Sequence, residues 1–289
     1  MSRAYGLHGS DCFELGSDHV GDRFEVFVAH PVDLPGMPLS GPPRVVYCVD
    51  AEVYGVQLVE IARYLTVDPS RSIEPFLVVG IGYPDDVRER TPPMRLRNRD
   101  LVTPGTPIPD WVVEALGGAG PEPASDRFLA FSEEELDPVI RERYEHDASA
   151  TGLCGDSYGG LFGLYTLFRQ SPLFTHYLIG SPGAVLDDDP VFAVEAAQFA
   201  AGVPLKGRAY FSIGEHEQAD SGTAYETLGK NYLCLAALLR ERAYPDLAWT
   251  AEIIPGETHA SVIPFALSRG MRWLFERDGL PLAPVRTLD

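Results

Sequence analysis

The stretch TGLCGDSYGGLFGLYTLF, residues 151–168, decides the fold. An apolar run, TGLC, leads into Gly155-Asp156-Ser157-Tyr158-Gly159, which in turn opens an apolar segment with helical spacing. Strand, sharp turn and helix in that order make a nucleophile elbow, where the turn lifts a serine Oγ clear of the backbone. Glycines two positions to either side leave room for the crowded turn. The N-terminus of the following helix then faces any negative charge that develops there. A bare GxSxG arises by composition with a probability of roughly 0.1 in a chain of this length. The strand before it and the helix after it make the pattern specific here.

Outward from the elbow, β-branched and aromatic runs bounded by turn residues predict strands at 23–29, 44–49, 75–81, 151–154, 175–180, 207–213 and 247–254. Segments with helical spacing lie at 55–65, 127–145, 159–169, 190–201, 222–242 and 260–278. Strands such as FLVVGI are apolar throughout, as expected where helices cover both sheet faces. The alternation predicts a mainly parallel, doubly wound sheet, and with the nucleophile elbow on it an α/β-hydrolase fold. Proline and glycine concentrate at 31–43 and 103–123, a connection and a long surface loop, and neither divides the chain into self-sufficient halves. One domain over residues 1–289 is the expectation.

A serine hydroxyl is a weak nucleophile until a base takes its proton, and in this architecture the chain order is serine, acid, histidine. His8, His19, His30, His146 and His176 precede the place where an acid could lie, leaving His216 and His259. His259 closes Pro255-Gly256-Glu257-Thr258-His259, a turn between the last strand and the last helix, on the sheet edge where such folds build their sites. The acid belongs at the end of the preceding strand, in Glu215-His216-Glu217-Gln218. Glu217 is the choice there, with Glu215 and Asp220 as alternatives. The backbone N–H groups of Tyr158 and Glu52, the latter on the loop Asp50-Ala51-Glu52-Val53, are the expected oxyanion donors.

The formal charge of −19 disfavours nucleic acid and anionic membranes as partners, so a small-molecule ester is expected. No apolar run has the length of a signal h-region or a membrane span, which predicts a cytoplasmic protein. Cys12, Cys48, Cys154 and Cys234 lie far apart without metal-ligand spacing, and there is no Walker A or GxGxxG pattern, so no metal or cofactor is expected. Against the acidic background, RERTPPMRLRNR at 88–99 places Arg88, Arg90, Arg95, Arg97 and Arg99 in a predicted loop after FLVVGI. Such forks suit anionic oxygens of a substrate, and pairing with Asp85, Asp86, Glu89 and Asp100 is the competing reading.

These features resemble the esterase family of α/β hydrolases that includes the siderophore trilactone esterases and is similar to esterase D and the mycolyltransferases. The likeness runs over nearly the whole chain. It is carried by Tyr47-Cys48-Val49-Asp50, Val79 to Pro84, Arg97-Asn98-Arg99-Asp100 with Pro104, Phe128-Leu129, Glu135 to Pro138 and Gly155 to Phe162. Tyr177 to Pro182, Gly214 to Glu217, Pro255 to His259 and Ser268-Arg269-Gly270 complete it. The resemblance implies a Ser157/Glu217/His259 triad, an oxyanion hole from Tyr158 and the Asp50-Ala51-Glu52 loop, and Arg97 and Arg99 at the substrate rim. Ala51 stands where the family usually has glycine. Acyl transfer to an alcohol by the same triad, and a binding protein that has lost chemistry, are the alternatives. Added alcohol acceptors separate the first, and failure of Ser157 to react with an organophosphonate marks the second.

Overall fold

The computed structural model describes residues 6–32, 41–68, 73–108, 110–115, 117–118, 120–218 and 225–276. Its centre is one eight-stranded sheet. The strands are β1 (Ser10–Ser17), β2 (Asp22–Ala29), β3 (Arg44–Cys48), β4 (Phe76–Gly82), β5 (Asp147–Asp156), β6 (His176–Gly180), β7 (Lys206–Gly214) and β8 (Asp246–Ile254). They lie in the order β1-β2-β4-β3-β5-β6-β7-β8. β1, β2 and β4 pair antiparallel, and every pairing from β4 to β8 is parallel. This is the α/β-hydrolase arrangement predicted from the sequence.

The inner strands are apolar on both faces because both faces are covered. Val45, Tyr47, Leu77, Val79, Leu153, Tyr177 and Ile179 enter one core layer. Their neighbours Val46, Cys48, Phe76, Val78, Cys154 and Leu178 enter the other, which is the two-residue period of a pleated strand. Helices α1 (Val56–Val67) and α10 (Ile263–Leu274) close the second layer. The first is closed by α5 (Ser125–Ala130), α6 (Asp137–Arg143), α7 (Tyr158–Phe168) and α9 (Tyr225–Arg242). Every residue of α7 from Gly159 to Phe168 is buried, which explains why its sequence is apolar all round.

The remaining helices are α2 (Asp85–Arg90), α3 (Pro93–Leu101), α4 (Asp110–Ala115) and α8 (Pro190–Ala200). Three of them correct the sequence expectation, and for α2 and α3 the reason is that the arginine-rich stretch at 88–99 lies mostly in these helices rather than in a loop. Pro93 occupies the first turn of α3, where its missing N–H costs nothing, and Met, Leu and Arg are good helix formers. Strand β1 was not expected. It is an edge strand whose burial alternates and whose SDCFELGS carries charge and glycine, so its apolar signal is thin. Helix α4 falls within the proline- and glycine-rich span 103–123 that reads as loop.

The order of strand addition reverses at β3, whose parallel neighbours are β4 on one side and β5 on the other. In open α/β sheets the crevice beyond the carboxyl ends of the strands at this switch is where ligands bind. Asp50 follows β3 and Ser157 follows β5 at that point. The elbow fits because the glycines leave space: a Cβ on Gly155 would sit 2.1 Å from the Gly159 carbonyl oxygen. That neighbour is backbone inside a buried helix and cannot swing away. Gly155→Ala is therefore expected to lower unfolding free energy by about 3 kcal/mol, the upper end of overpacking costs. Urea denaturation checks this, and a stability within experimental error of the parent would contradict it.

Candidate active site

Ser157 adopts φ 58°, ψ −120°, a conformation that L residues rarely hold and that costs on the order of 1–3 kcal/mol. Backbone bonds keep it there. Its N–H donates to Gly180 O at 3.0 Å, and its carbonyl accepts from Leu161 N and Gly183 N, each at 2.9 Å. The side chain is half-buried at the tip of β5.

Glu217 sits in a short 3₁₀ turn, Glu215–Glu217, directly after β7, and is fully buried. Its Oε2 contacts Nδ1 of His259. Its Oε1 accepts from Gly214 N and from Ser181 Oγ, both at 2.8 Å. Both carboxylate oxygens are thus occupied by donors, the condition under which a buried charge is tolerable. Glu215, by contrast, is exposed and accepts from Gly256 N at 2.7 Å, bracing the histidine loop rather than touching the ring. Asp220 lies outside the described residues. His216 is exposed, and its N–H joins the same two loops through Glu257 O at 3.0 Å.

With Nδ1 held by the carboxylate, His259 keeps Nε2 free to accept a proton. One face of its ring stacks on Tyr225, centroids 4.5 Å apart. Burial opposes the charged form of the ring, but the hydrogen bond and charge of Glu217, aided by Asp156, outweigh it, and the net direction is up from the ordinary histidine value. No bond ties Ser157 Oγ to the ring in the resting structure. Catalytic contacts of this kind commonly tighten only with substrate present.

The sequence singled out neither Asp156 nor Ser181 as a site residue. Asp156 is buried, and its Oδ1 has no hydrogen-bond partner among the described residues. Desolvation pushes its carboxyl up to about 7, with Glu217 and Asp50 adding to the rise and His259 opposing it. An acid directly before the nucleophile was the available signal. Ser181, at φ 38°, marks the sharp exit from β6 and turns its hydroxyl onto Glu217.

Asp50 has φ 52°, and its carbonyl accepts from Val53 N at 2.9 Å and Tyr54 N at 3.4 Å, starting a π-helical turn over Ala51–Gly55. The left-handed residue is Asp50 itself. Ala51 lies within the helical turn, where a Cβ is accommodated, so glycine is not required there. Glu52 stands on this turn, and Tyr158 is the first residue of α7. The Tyr54 hydroxyl accepts from Asp156 N at 2.9 Å and stitches the turn to the elbow.

Arg97 and Arg99 have their forks closed on carboxylates. Arg97 holds Asp50 through two bonds of 2.7 and 2.9 Å, and Arg99 holds Asp100 at 2.7 and 2.9 Å and Asp22 at 2.9 Å. Arg88 pairs with Asp85, Arg90 with Asp86, and Arg95 donates to Gly117 O at 2.7 Å. Arg97 and Arg99, expected at the substrate rim, are each paired with carboxylates of the chain, and the Arg99–Asp100 pair is one that the competing reading named. Among the described residues, no group of three or more His, Cys, Asp or Glu is placed to hold a metal ion.

An NMR titration of the His259 ring should give a midpoint above 6.5, because the Glu217 charge favours the protonated form. Glu217→Gln removes that charge and leaves burial to dominate, so the midpoint should fall below the wild-type value. An unchanged midpoint would contradict the pairing.

Comparisons with known proteins match this architecture. The profile of the family described as "Putative esterase" matches residues 17–219. The ferri-bacillibactin esterase BesA of Bacillus subtilis is 26% identical over 284 residues, covering 96% of this chain and 93% of that protein. The siderophore triacetylfusarinine C esterase of Aspergillus fumigatus is 27% identical over 295 residues, covering 93% and 94%. Among solved structures, the BES protein from Bacillus cereus superposes with a TM-score of 0.77 at 22% identity, covering 96% of this chain and 98% of that one. Within the described residues, no helix is long and apolar enough to cross a membrane. With the family profile spanning most of the sequence on an α/β-hydrolase sheet, the chain belongs to the "Putative esterase" family and is a carboxylic-ester hydrolase.

Proposed function

We propose that the chain cleaves a small acyl ester or a siderophore-type lactone through an acyl-enzyme on Ser157, with His259 as general base and Glu217 as its acid. The observation that carries this reading is the contact of buried Glu217 with the partly buried His259 on the same sheet edge as the strained Ser157 elbow. As Oγ attacks the ester carbonyl carbon, Nε2 of His259 takes the hydroxyl proton, and Glu217 stabilises the resulting imidazolium. The N–H groups of Tyr158 and Glu52 receive the tetrahedral oxyanion. Collapse breaks the ester C–O bond, and the leaving alcohol takes the proton from His259. Water, deprotonated by the same nitrogen, then attacks the acyl carbon and restores the serine.

The siderophore-type assignment draws on the two esterase relatives. The charge pattern supports an ester without free anionic groups: the chain carries −19 overall, and the arginines nearest the site are paired internally. Exposed apolar side chains stand on the elements that follow the strands at this edge, Val53, Val56, Met94, Tyr225 and Phe265, and suit a substrate with apolar faces. Cys48 and Cys154 are buried Cα partners across β3 and β5.

Intact mass after treatment with a fluorophosphonate should show one adduct on the wild type and none on Ser157→Ala. His259→Ala should label slowly and lose ester turnover by on the order of 10⁴-fold or more. Absence of an adduct on folded wild type would sink the mechanism. Among p-nitrophenyl esters, a neutral butyrate should exceed a hemiester bearing a free carboxylate by about tenfold in kcat/KM at low salt, with the gap closing as salt is added. A preference for the anionic ester would overturn the charge reading.

A further inference from the structure

Arg97 occupies a position that substrate binding does not explain. Its fork is closed side-on over Asp50, Nε to Oδ1 at 2.7 Å and Nη2 to Oδ2 at 2.9 Å. The Asp50 side chain is 2% exposed and that of Arg97 18% exposed, so water screens the pair little. The third guanidinium nitrogen is turned to Met94 Sδ at 3.3 Å. The guanidinium carbon lies 5.3 Å from the centroid of the Tyr158 ring, the usual range for a cation over an aromatic face. One cation therefore touches a residue on each side of the crevice, Asp50 after β3 and Tyr158 after β5.

Both residues lead to the expected oxyanion donors. Asp50 is the left-handed residue whose carbonyl starts the π-helical turn, and Glu52 is two residues further along that turn. The carboxylate of Asp50 also packs against the elbow: a Cβ on Gly159 would meet Asp50 Oδ2 at 3.2 Å and Tyr54 Oη at 2.9 Å. The turn and the first residues of α7 thus share one contact surface, and Arg97 clamps it from α3. Left unpaired, a carboxylate so near the elbow would oppose the negative charge that forms on the tetrahedral oxygen.

We infer that Arg97 is a positioning residue for the oxyanion hole, fixing the Glu52-bearing turn through Asp50 and the Tyr158 N–H through the Tyr158 ring, while neutralising Asp50. A planar fork suits this task and an ammonium does not, because only the fork meets both carboxylate oxygens in one plane. The inference rests on the proposed acyl-enzyme mechanism and assigns Arg97 to transition-state geometry instead of ground-state recognition.

The test compares wild type, Arg97→Lys, Asp50→Asn and the double variant on neutral p-nitrophenyl acetate and on an ester carrying a free carboxylate. Each single variant is expected to lose roughly 10- to 100-fold in kcat on both esters, with KM within about 3-fold, part of what loss of an oxyanion donor costs. Inactivation by a neutral fluorophosphonate should slow in step, since its phosphoryl oxygen enters the same hole. The double variant should be no more than about 3-fold worse than the poorer single, because both changes break one unit. Multiplicative losses, or an effect confined to KM for the anionic ester, would overturn the inference and return Arg97 to substrate binding. If Arg97→Lys does not fold, as judged by its circular dichroism, the near-isosteric Asp50→Asn decides alone, and an unchanged kcat there overturns the inference. A wild type that neither labels nor turns over ester would remove the underlying mechanism, an outcome distinct from an active wild type with indifferent variants.

Discussion

The strained backbone at Ser157 is the constraint on which the site is built. Its φ of 58° persists because β6 supplies the Gly180 carbonyl and the following loop supplies the Gly183 N–H. It also requires that Gly155 and Gly159 carry no side chain. The sheet is in this sense a clamp, and the apolar composition of β5, β6 and α7 follows from the need for an unyielding surround. Strain of this size survives only where neighbouring structure over-determines it. Ser181 and Asp50, also at positive φ, show that the loops beside the elbow meet the same demand for abrupt exits.

Around that clamp the electrostatics are arranged in matched sets. Glu217 has donors on both oxygens, Asp50 has a fork on both, and Asp100 has Arg99 together with the Tyr83 hydroxyl. Asp156 differs from these three, with one buried oxygen that has no partner among the described residues. Desolvation pushes its carboxyl up to about 7, with the neighbouring charges of Glu217 and Asp50 adding to the rise.

Much of this was legible in the sequence, for identifiable reasons. The elbow carries its own context in TGLCGDSYGG, and strand-to-strand order fixes which histidine and which acidic loop reach it. The choice among Glu215, Glu217 and Asp220 was not legible, because it turns on which carboxylate a 3₁₀ turn points inward, where Glu217 meets Ser181 and His259 from other segments. The arginine stretch was misread for a related reason. The partners Asp85, Asp86 and Asp100 are visible in the local sequence, but Asp50 and Asp22 lie 47 and 77 residues away, so the pairing of Arg97 and the second partner of Arg99 could not be read there. β1 escaped notice because an edge strand with one covered face needs few apolar residues.

The internal pairing of the arginines also bears on how a turnover ends. A neutral ester meets little electrostatic resistance on arrival, but hydrolysis converts it into an alcohol and a carboxylate. On the proposed mechanism that new anion forms near Glu217 and Asp50, in a chain of formal charge −19 whose Arg97 and Arg99 are already paired with carboxylates. The same field that is indifferent to the incoming molecule drives the acid product outward, so the reaction itself creates the force that clears the site.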